Sequence, residues 1–165
     1  MNKEKLSYIE ETGILFEQLG MTRMAGRIFG LLIVSDQNTV SFNHIQEVLN
    51  ASKGSISGTT KQLIAVGFIE PVSLSGDRKT YFRISKMRAG TILKARLSLF
   101  YKFSDVIDKG NALKEKEDEI SDWLREISAF YKWLGGAVDE LIIRWEVVKD
   151  TIMENQAKDH EKSEK

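Results

Sequence analysis

The chain has 165 residues, 42% of them hydrophobic, with no Cys, and its 24 Lys and Arg cancel its 24 Asp and Glu. That length suits one compact domain or a small domain with an appendage, the apolar fraction excludes wholesale disorder, and the lack of Cys excludes disulfides, thiolate metal sites and cysteine nucleophiles. The neutrality is a cancellation: residues 1–20 sum to −2, residues 21–103 hold twelve Lys and Arg against four acidic residues for +8, and residues 104–165 hold ten against sixteen for −6.

Residues 3–19 read as a helix with Leu6, Ile9, Phe16 and Leu19 apolar and Gly20 as its C-terminal stop. The Glu-bearing N-terminus lacks the apolar stretch of a secretory signal. Thr22 caps a second helix reaching about Ser35, on which Gly26 and Gly30 predict a close helix crossing. Its Ile28 to Val34 run is the longest nearly unbroken apolar stretch. It is far short of the roughly 20 residues that span a bilayer, so a cytoplasmic protein without membrane contact is expected.

Ser41 caps a short helix, Phe42 to Leu49, whose Ile45, Val48 and Leu49 face inward. Only Asn50 and Ala51 separate it from Ser52, which caps a fourth helix from Lys53 to Val66 closed by Gly67, the spacing of a helix-turn-helix. After Gly67 the period changes from 3.6 to 2. Residues 68–74 form an edge strand, because Pro71 cannot donate to a ladder, and Thr80 to Ser85 completes a hairpin around Ser75 to Lys79.

A further helix runs from Lys86 to about Asp108, with Ile92, Leu93, Leu97, Phe100 and Val106 apolar, and breaks at Lys109-Gly110-Asn111. In the last segment Ile120, Leu124, Ile127, Tyr131, Leu134, Val138, Leu141, Trp145, Val148 and Ile152 follow an alternating 4, 3 spacing. This heptad seam passes through Gly135-Gly136 and predicts one helix that pairs with a second copy of the chain. The pattern divides the chain into an N-terminal packing or dimerisation helix (1–20), a winged helix-turn-helix domain (21–86), a helical dimerisation arm (87–154) and a disordered tail (155–165).

Three short helices followed by a hairpin with a charged tip define the expected fold class, mainly α with a small β-hairpin wing. On the fourth helix, with Ile56 centring the buried face, Thr60, Leu63 and Ile64 lie within a quarter-turn of it, and Gly54, Ser55, Gly58, Lys61 and Gln62 fall opposite. Short side chains let a helix backbone enter a major groove. Base reading is expected from Ser55, Ser57, Thr59, Lys61 and Gln62, and the helix start at Ser52, Lys53 and Gly54 offers backbone N–H groups to a phosphate. At the hairpin tip, Arg78 and Lys79 could track a minor groove with Asp77 holding the Arg78 guanidinium.

At these residues the chain resembles the GbsR-type branch of MarR-like winged-helix regulators. Residues 20–32, beginning Gly20-Met21-Thr22-Arg23, resemble that branch's opening signature; Ala51-Ser52-Lys53-Gly54-Ser55-Ile56-Ser57 its recognition-helix start; and Gly76-Asp77-Arg78-Lys79-Thr80-Tyr81-Phe82 its wing. The acidic C-terminal segment with Ala129-Phe130-Tyr131 and Arg144-Trp145 also fits. The resemblance implies a dimeric transcription regulator, usually a repressor, reading pseudo-palindromic double-stranded DNA, with some members of the branch answering to choline or related osmolytes.

Trp123, Phe130, Tyr131 and Trp145 form a candidate aromatic pocket for a small-molecule effector, although Tyr131 and Trp145 also sit on the seam. No enzyme, cofactor or metal is expected. His44 and His160 have no second ligand spaced to join them, and the acidic residues 115–122 open a helix, where they favour its dipole. The alternative from another class is a winged-helix interaction module that does not bind DNA.

Overall fold

Two helices cross at the start of the chain with their backbones in contact at one point, Gly26 against Thr12 and Gly13. Helix α1 (Lys3–Gln18) is capped by Asn2, whose side chain accepts the Lys5 N–H, and the chain turns at Gly20 with φ +75°. Thr22 caps α2 (Arg23–Val34) through the Ala25 N–H. A Cβ on Gly26 would overlap the Thr12 carbonyl oxygen and lie 2.7 Å from the Gly13 Cα, and one on Gly30 would lie 3.0 Å from the Thr12 hydroxyl. The glycine pair therefore serves the close crossing that its spacing predicts. Glu10 on α1 reaches Arg27 on α2 at 2.7 Å beside it.

The computed structural model describes residues 1–86 and 89–163 and resolves into two units, Met1–Met87 and Arg88–Lys165. In the first, α3 (Phe42–Leu49) and α4 (Lys53–Ala65) join α1 and α2 around a core of Ile9, Phe16, Ile28, Leu31, Ile45, Leu49, Ile56, Leu63, Ile69 and Phe82. Phe16, Phe29 and Phe68 meet with ring centroids 5.3 to 5.6 Å apart, which ties both first helices to the start of the sheet.

The sheet has three strands, β1 (Val40–Ser41), β2 (Ile69–Val72) and β3 (Tyr81–Ile84), all antiparallel in the order β1-β3-β2. Pro71 does lie in an edge strand. Both hairpin strands are shorter than their alternation predicts, and β1 is absent from the sequence reading, since two residues carry no period. Val40 pairs with Phe82 and Ser41 with Tyr81, so the hairpin gains a third strand just where α3 begins. The fold is mainly α with a small wing, as its pattern implies.

The second unit is an antiparallel pair of helices, α5 (Ala89–Ala112) and α6 (Glu119–Ser163). Met87 and Arg88, within the predicted start of α5, and the side chains of Ile92 and His160 lie outside the described residues. Of the other apolar positions assigned to α5, Leu97 is buried and Phe100 half-buried, whereas Leu93 and Val106 are exposed. The predicted break at Lys109-Gly110-Asn111 falls later. Gly110 faces open space, where its cost is modest, and the Asn111 amide donates to the Ser121 carbonyl at 3.1 Å, tying the last turn of α5 to α6. Asp118 caps α6 by accepting the Ser121 N–H, and its carboxyl is pushed down to about 2, first by the Lys114 ammonium and then by that N–H.

Helix α6 is unbroken through Gly135-Gly136, as its periodicity requires. It also continues to Ser163, where a disordered tail is expected; Gln156, Ala157, Lys158, Glu161 and Lys162 all favour helix. One column of α6 escapes the seam altogether. Ser121, Ser128 and Gly135, each seven residues apart, are buried, the Ser128 hydroxyl reaches the Ser104 carbonyl at 3.5 Å, and a Cβ on Gly135 would strike the Tyr101 ring. Small residues there let α5 and α6 approach closely.

The crossing at Gly26 carries a direct test. Gly26→Ala should lower stability in urea by about 1–3 kcal/mol, because the added methyl meets backbone that cannot move aside. Gly30→Ala should cost less, since its nearest contacts are with the Thr12 side chain and the nearest backbone atom, the Ile9 Cα, lies at 3.3 Å.

Candidate nucleic-acid interface

The turn between α3 and α4 is closed on both sides by hydrogen bonds. Asn50 adopts a left-handed conformation with φ 47°, the Ala51 N–H donates to the Gln46 carbonyl at 3.2 Å, and the Gln46 side chain returns a bond to the Ala51 carbonyl. Ser52 then caps α4 by accepting the Ser55 N–H at 3.2 Å. This pins the direction of α4 within three residues of α3.

Burial decides which face of α4 looks outward. Ile56 and Leu63 are fully buried and Thr60 nearly so, its hydroxyl donating to the Ile56 carbonyl at 2.8 Å. Ser52, Lys53, Gly54, Gly58, Lys61 and Gln62 are exposed, and Ser55 and Ser57 are half-buried. Thr59, expected among the base readers, is 7% exposed and faces the fold. It lies about 60° from Ile56 and about 40° from Leu63 on the helical wheel, so the core claims it. Ile64, expected on the buried side, is 36% exposed and sits at that face's margin.

At the other edge of the surface, the hairpin turns at Gly76 with φ +82°, and residues 73–80 are all exposed. Asp77 does not hold Arg78. Its carboxylate accepts the Lys79 N–H at 2.9 Å and the Tyr81 hydroxyl at 2.7 Å, and the Tyr81 bond, followed by the Lys79 N–H, pulls its acidity below the usual carboxylate range.

A cleft of about 370 Å³ joins the two parts, lined by Phe42 and Asn43 of α3, Lys53 and Ser57 of α4, and Arg78, Lys79 and Thr80 of the wing. The Phe42 N–H donates to the Thr80 carbonyl at 2.8 Å and holds its floor. Asn43 and Thr80 were not singled out in the sequence, because only the pairing of β1 with β3 brings them beside α4. Among the cations of this unit, Arg23 and Arg27 pair with Glu10, Arg83 with Glu70 across the ladder and Lys5 with Asp36; of those without an ion-pair partner among the described residues, Lys53, Lys61, Arg78 and Lys79 lie on α4 and the wing tip, and Lys3 and Lys86 lie elsewhere.

The seam of α6 is divided as well. Leu124, Ile127, Tyr131, Leu134 and Val138 are half-buried, while Ile120, Leu141, Trp145 and Val148 remain exposed. Tyr131 stacks on Phe100 at 5.1 Å and meets Phe103 edge-on at 5.3 Å, so its ring is occupied within the helical pair. The aromatic pocket does not assemble: Trp123 and Trp145 lie 22 residues apart on one helix, about 33 Å along its axis, and neither described cavity is lined by any of the four rings. Among the described residues no group of three or more His, Asp or Glu could hold a metal, and no helix is long and apolar enough to cross a membrane.

A three-residue turn between α3 and α4, an outward α4 face of short side chains and a three-stranded wing define a winged helix-turn-helix protein. No family model matches the chain. It is 32% identical over 141 residues to the HTH-type transcriptional regulator MmpR5 of Mycobacterium tuberculosis, across 85% of this chain and 86% of that one. A crystal structure of a transcriptional regulator is similar with a TM-score of 0.77 and 31% identity, over 87% of this chain and 98% of that chain. The chain belongs to the HTH-type transcriptional regulators.

The two glycines of α4 meet nothing within 4 Å of a built Cβ. Gly54→Ala and Gly58→Ala should therefore each raise stability, by up to about 1 kcal/mol in chemical denaturation, opposite in sign to Gly26→Ala.

Proposed function

We propose that this protein is a cytoplasmic, sequence-specific DNA-binding repressor that acts as a homodimer on a pseudo-palindromic operator. The observation that carries the reading is the set of four unpaired cations, Lys53, Lys61, Arg78 and Lys79, placed around an α4 face whose side chains are short. Ion pairing has removed Arg23, Arg27, Arg83 and Lys5 from competition for phosphate. The α4 backbone enters the major groove with Ser55, Ser57, Lys61 and Gln62 toward base edges, Ser52, Lys53 and Gly54 at its N-terminal phosphate, and Arg78 and Lys79 on the flanking groove. Occupying a promoter is sufficient for repression, and the motif resemblance favours the GbsR-type branch of MarR-like regulators.

The dimer follows from apolar surface that the helical pair leaves uncovered. Ile120, Trp123, Phe130 and Leu141, each more than half exposed, continue with Val148 along one side of α6. Pairing with a second copy removes this stripe from water and sets two α4 helices for successive turns of duplex. Leu141→Asp should yield monomers in sedimentation velocity, and an unchanged dimer would move the interface elsewhere.

Binding should weaken steeply with salt. If Lys53, Arg78 and Lys79 of both protomers meet phosphates, log K should fall with log salt at a slope of about −5, and Lys53→Ala should flatten it by about 2. A flat dependence in a mobility-shift titration on the DNA upstream of the chain's own gene would overturn the reading.

A further inference from the structure

One carboxylate organises the wing tip. Asp77 Oδ1 accepts the Lys79 N–H at 2.9 Å, and Oδ2 accepts the Tyr81 hydroxyl at 2.7 Å. Tyr81 is anchored at the centre of the sheet, its backbone in register with Ser41 of β1 on one side and Val72 of β2 on the other. The phenol thus reaches from the most constrained strand to the most exposed turn, and Asp77 is the point where the two are tied. The same bond draws the Asp77 carboxyl below its ordinary range and holds the Tyr81 phenol above its own.

The tie also settles what Arg78 does. A carboxylate next to an arginine in a turn would ordinarily take it as partner, but Asp77 accepts from the Lys79 N–H and the Tyr81 hydroxyl, and among the described residues Arg78 has no ion pair. Arg78 and Lys79 instead line the cleft shared with Lys53 and Ser57.

We infer that Tyr81 and Asp77 are positioning residues of the nucleic-acid interface, the phenol–carboxylate hydrogen bond setting the direction in which the wing tip presents Arg78 and Lys79. This rests on the DNA-binding reading of that surface, and it makes a prediction opposite to simple electrostatics. Asp77 is a negative charge beside cations that would meet phosphate, so charge alone requires Asp77→Ala to bind DNA more tightly. Positioning requires the reverse.

The test uses the full chain and its operator at fixed salt. Asp77→Ala and Tyr81→Phe should each weaken binding about three- to tenfold, the scale of one hydrogen bond, and the double variant should be no weaker than the worse single one, because both remove the same tie. Absorbance titration of the four tyrosines supplies a readout that needs no DNA. One phenol should ionise above the ordinary range in the wild type and return toward it in Asp77→Ala, while thermal midpoints stay unchanged because the turn is exposed. Tighter binding by Asp77→Ala, additive losses, or a phenol titration indifferent to Asp77 would each overturn the inference. A wild-type chain that binds no duplex overturns the DNA-binding reading and this inference together; a wild type that binds, with Asp77→Ala binding better, overturns the inference alone.

Discussion

The orientation of α4 depends on burying Ile56 and Leu63, and most of what the surface offers depends on α4. These side chains are fully buried in the core built from α1, α2, α3 and the sheet. Burying two branched aliphatic side chains contributes several kcal/mol, on the order of 1.5–3 each, far more than the propensity cost of Gly54 and Gly58 on the opposite face. The core thus tolerates a weak helix-forming face, and that face is free to carry glycines, hydroxyls and one lysine. The three-residue turn after α3 removes the remaining freedom, since a helix entered through Asn50 and Ser52 has little room to rotate about its axis.

Charge is allocated by the same geometry. The basic middle of the chain looks uniform in sequence, yet its Arg23, Arg27 and Arg83 are paired with carboxylates of α1 and β2, as Lys5 of α1 is with Asp36 of the loop after α2. Exposed pairs of this kind add little stability. Their consequence is topographic: Lys53, Arg78 and Lys79, left unpaired, line one cleft between α4 and the wing, with Lys61 exposed on the same helix.

In the helical unit, packing and patterning serve different surfaces of α6. A column of Ser121, Ser128 and Gly135 lets α5 approach closely, with Phe100 and Phe103 closing around Tyr131. That leaves the flank bearing Ile120, Trp123, Phe130 and Leu141 uncovered. A seam of large residues reads as one interface in a linear pattern, but a helix 45 residues long has room for two, and the small residues show where the first one lies.

Much of the fold was legible because its signals are local. Caps at Thr22, Ser41 and Ser52, stops at Gly20, Asn50 and Gly67, the edge-strand proline and the 3.6-residue period of each helix act within a turn or two of chain. The tertiary structure alone decided the rest. β1 exists only because Val40 and Ser41 meet Phe82 and Tyr81; Thr59 is withdrawn from the outer face by its neighbours in the core; and Asp77 takes Tyr81 rather than Arg78. The same holds for Trp123 and Trp145 of α6, which share a sequence segment but are separated by the rise of the helix. Sequence by itself determined which elements form and where they end, since those are one-turn energetics. Which side chains remain available to a partner was settled by contacts between residues far apart along the chain, such as Val40 with Phe82 and Phe16 with Phe68, and no local pattern records these.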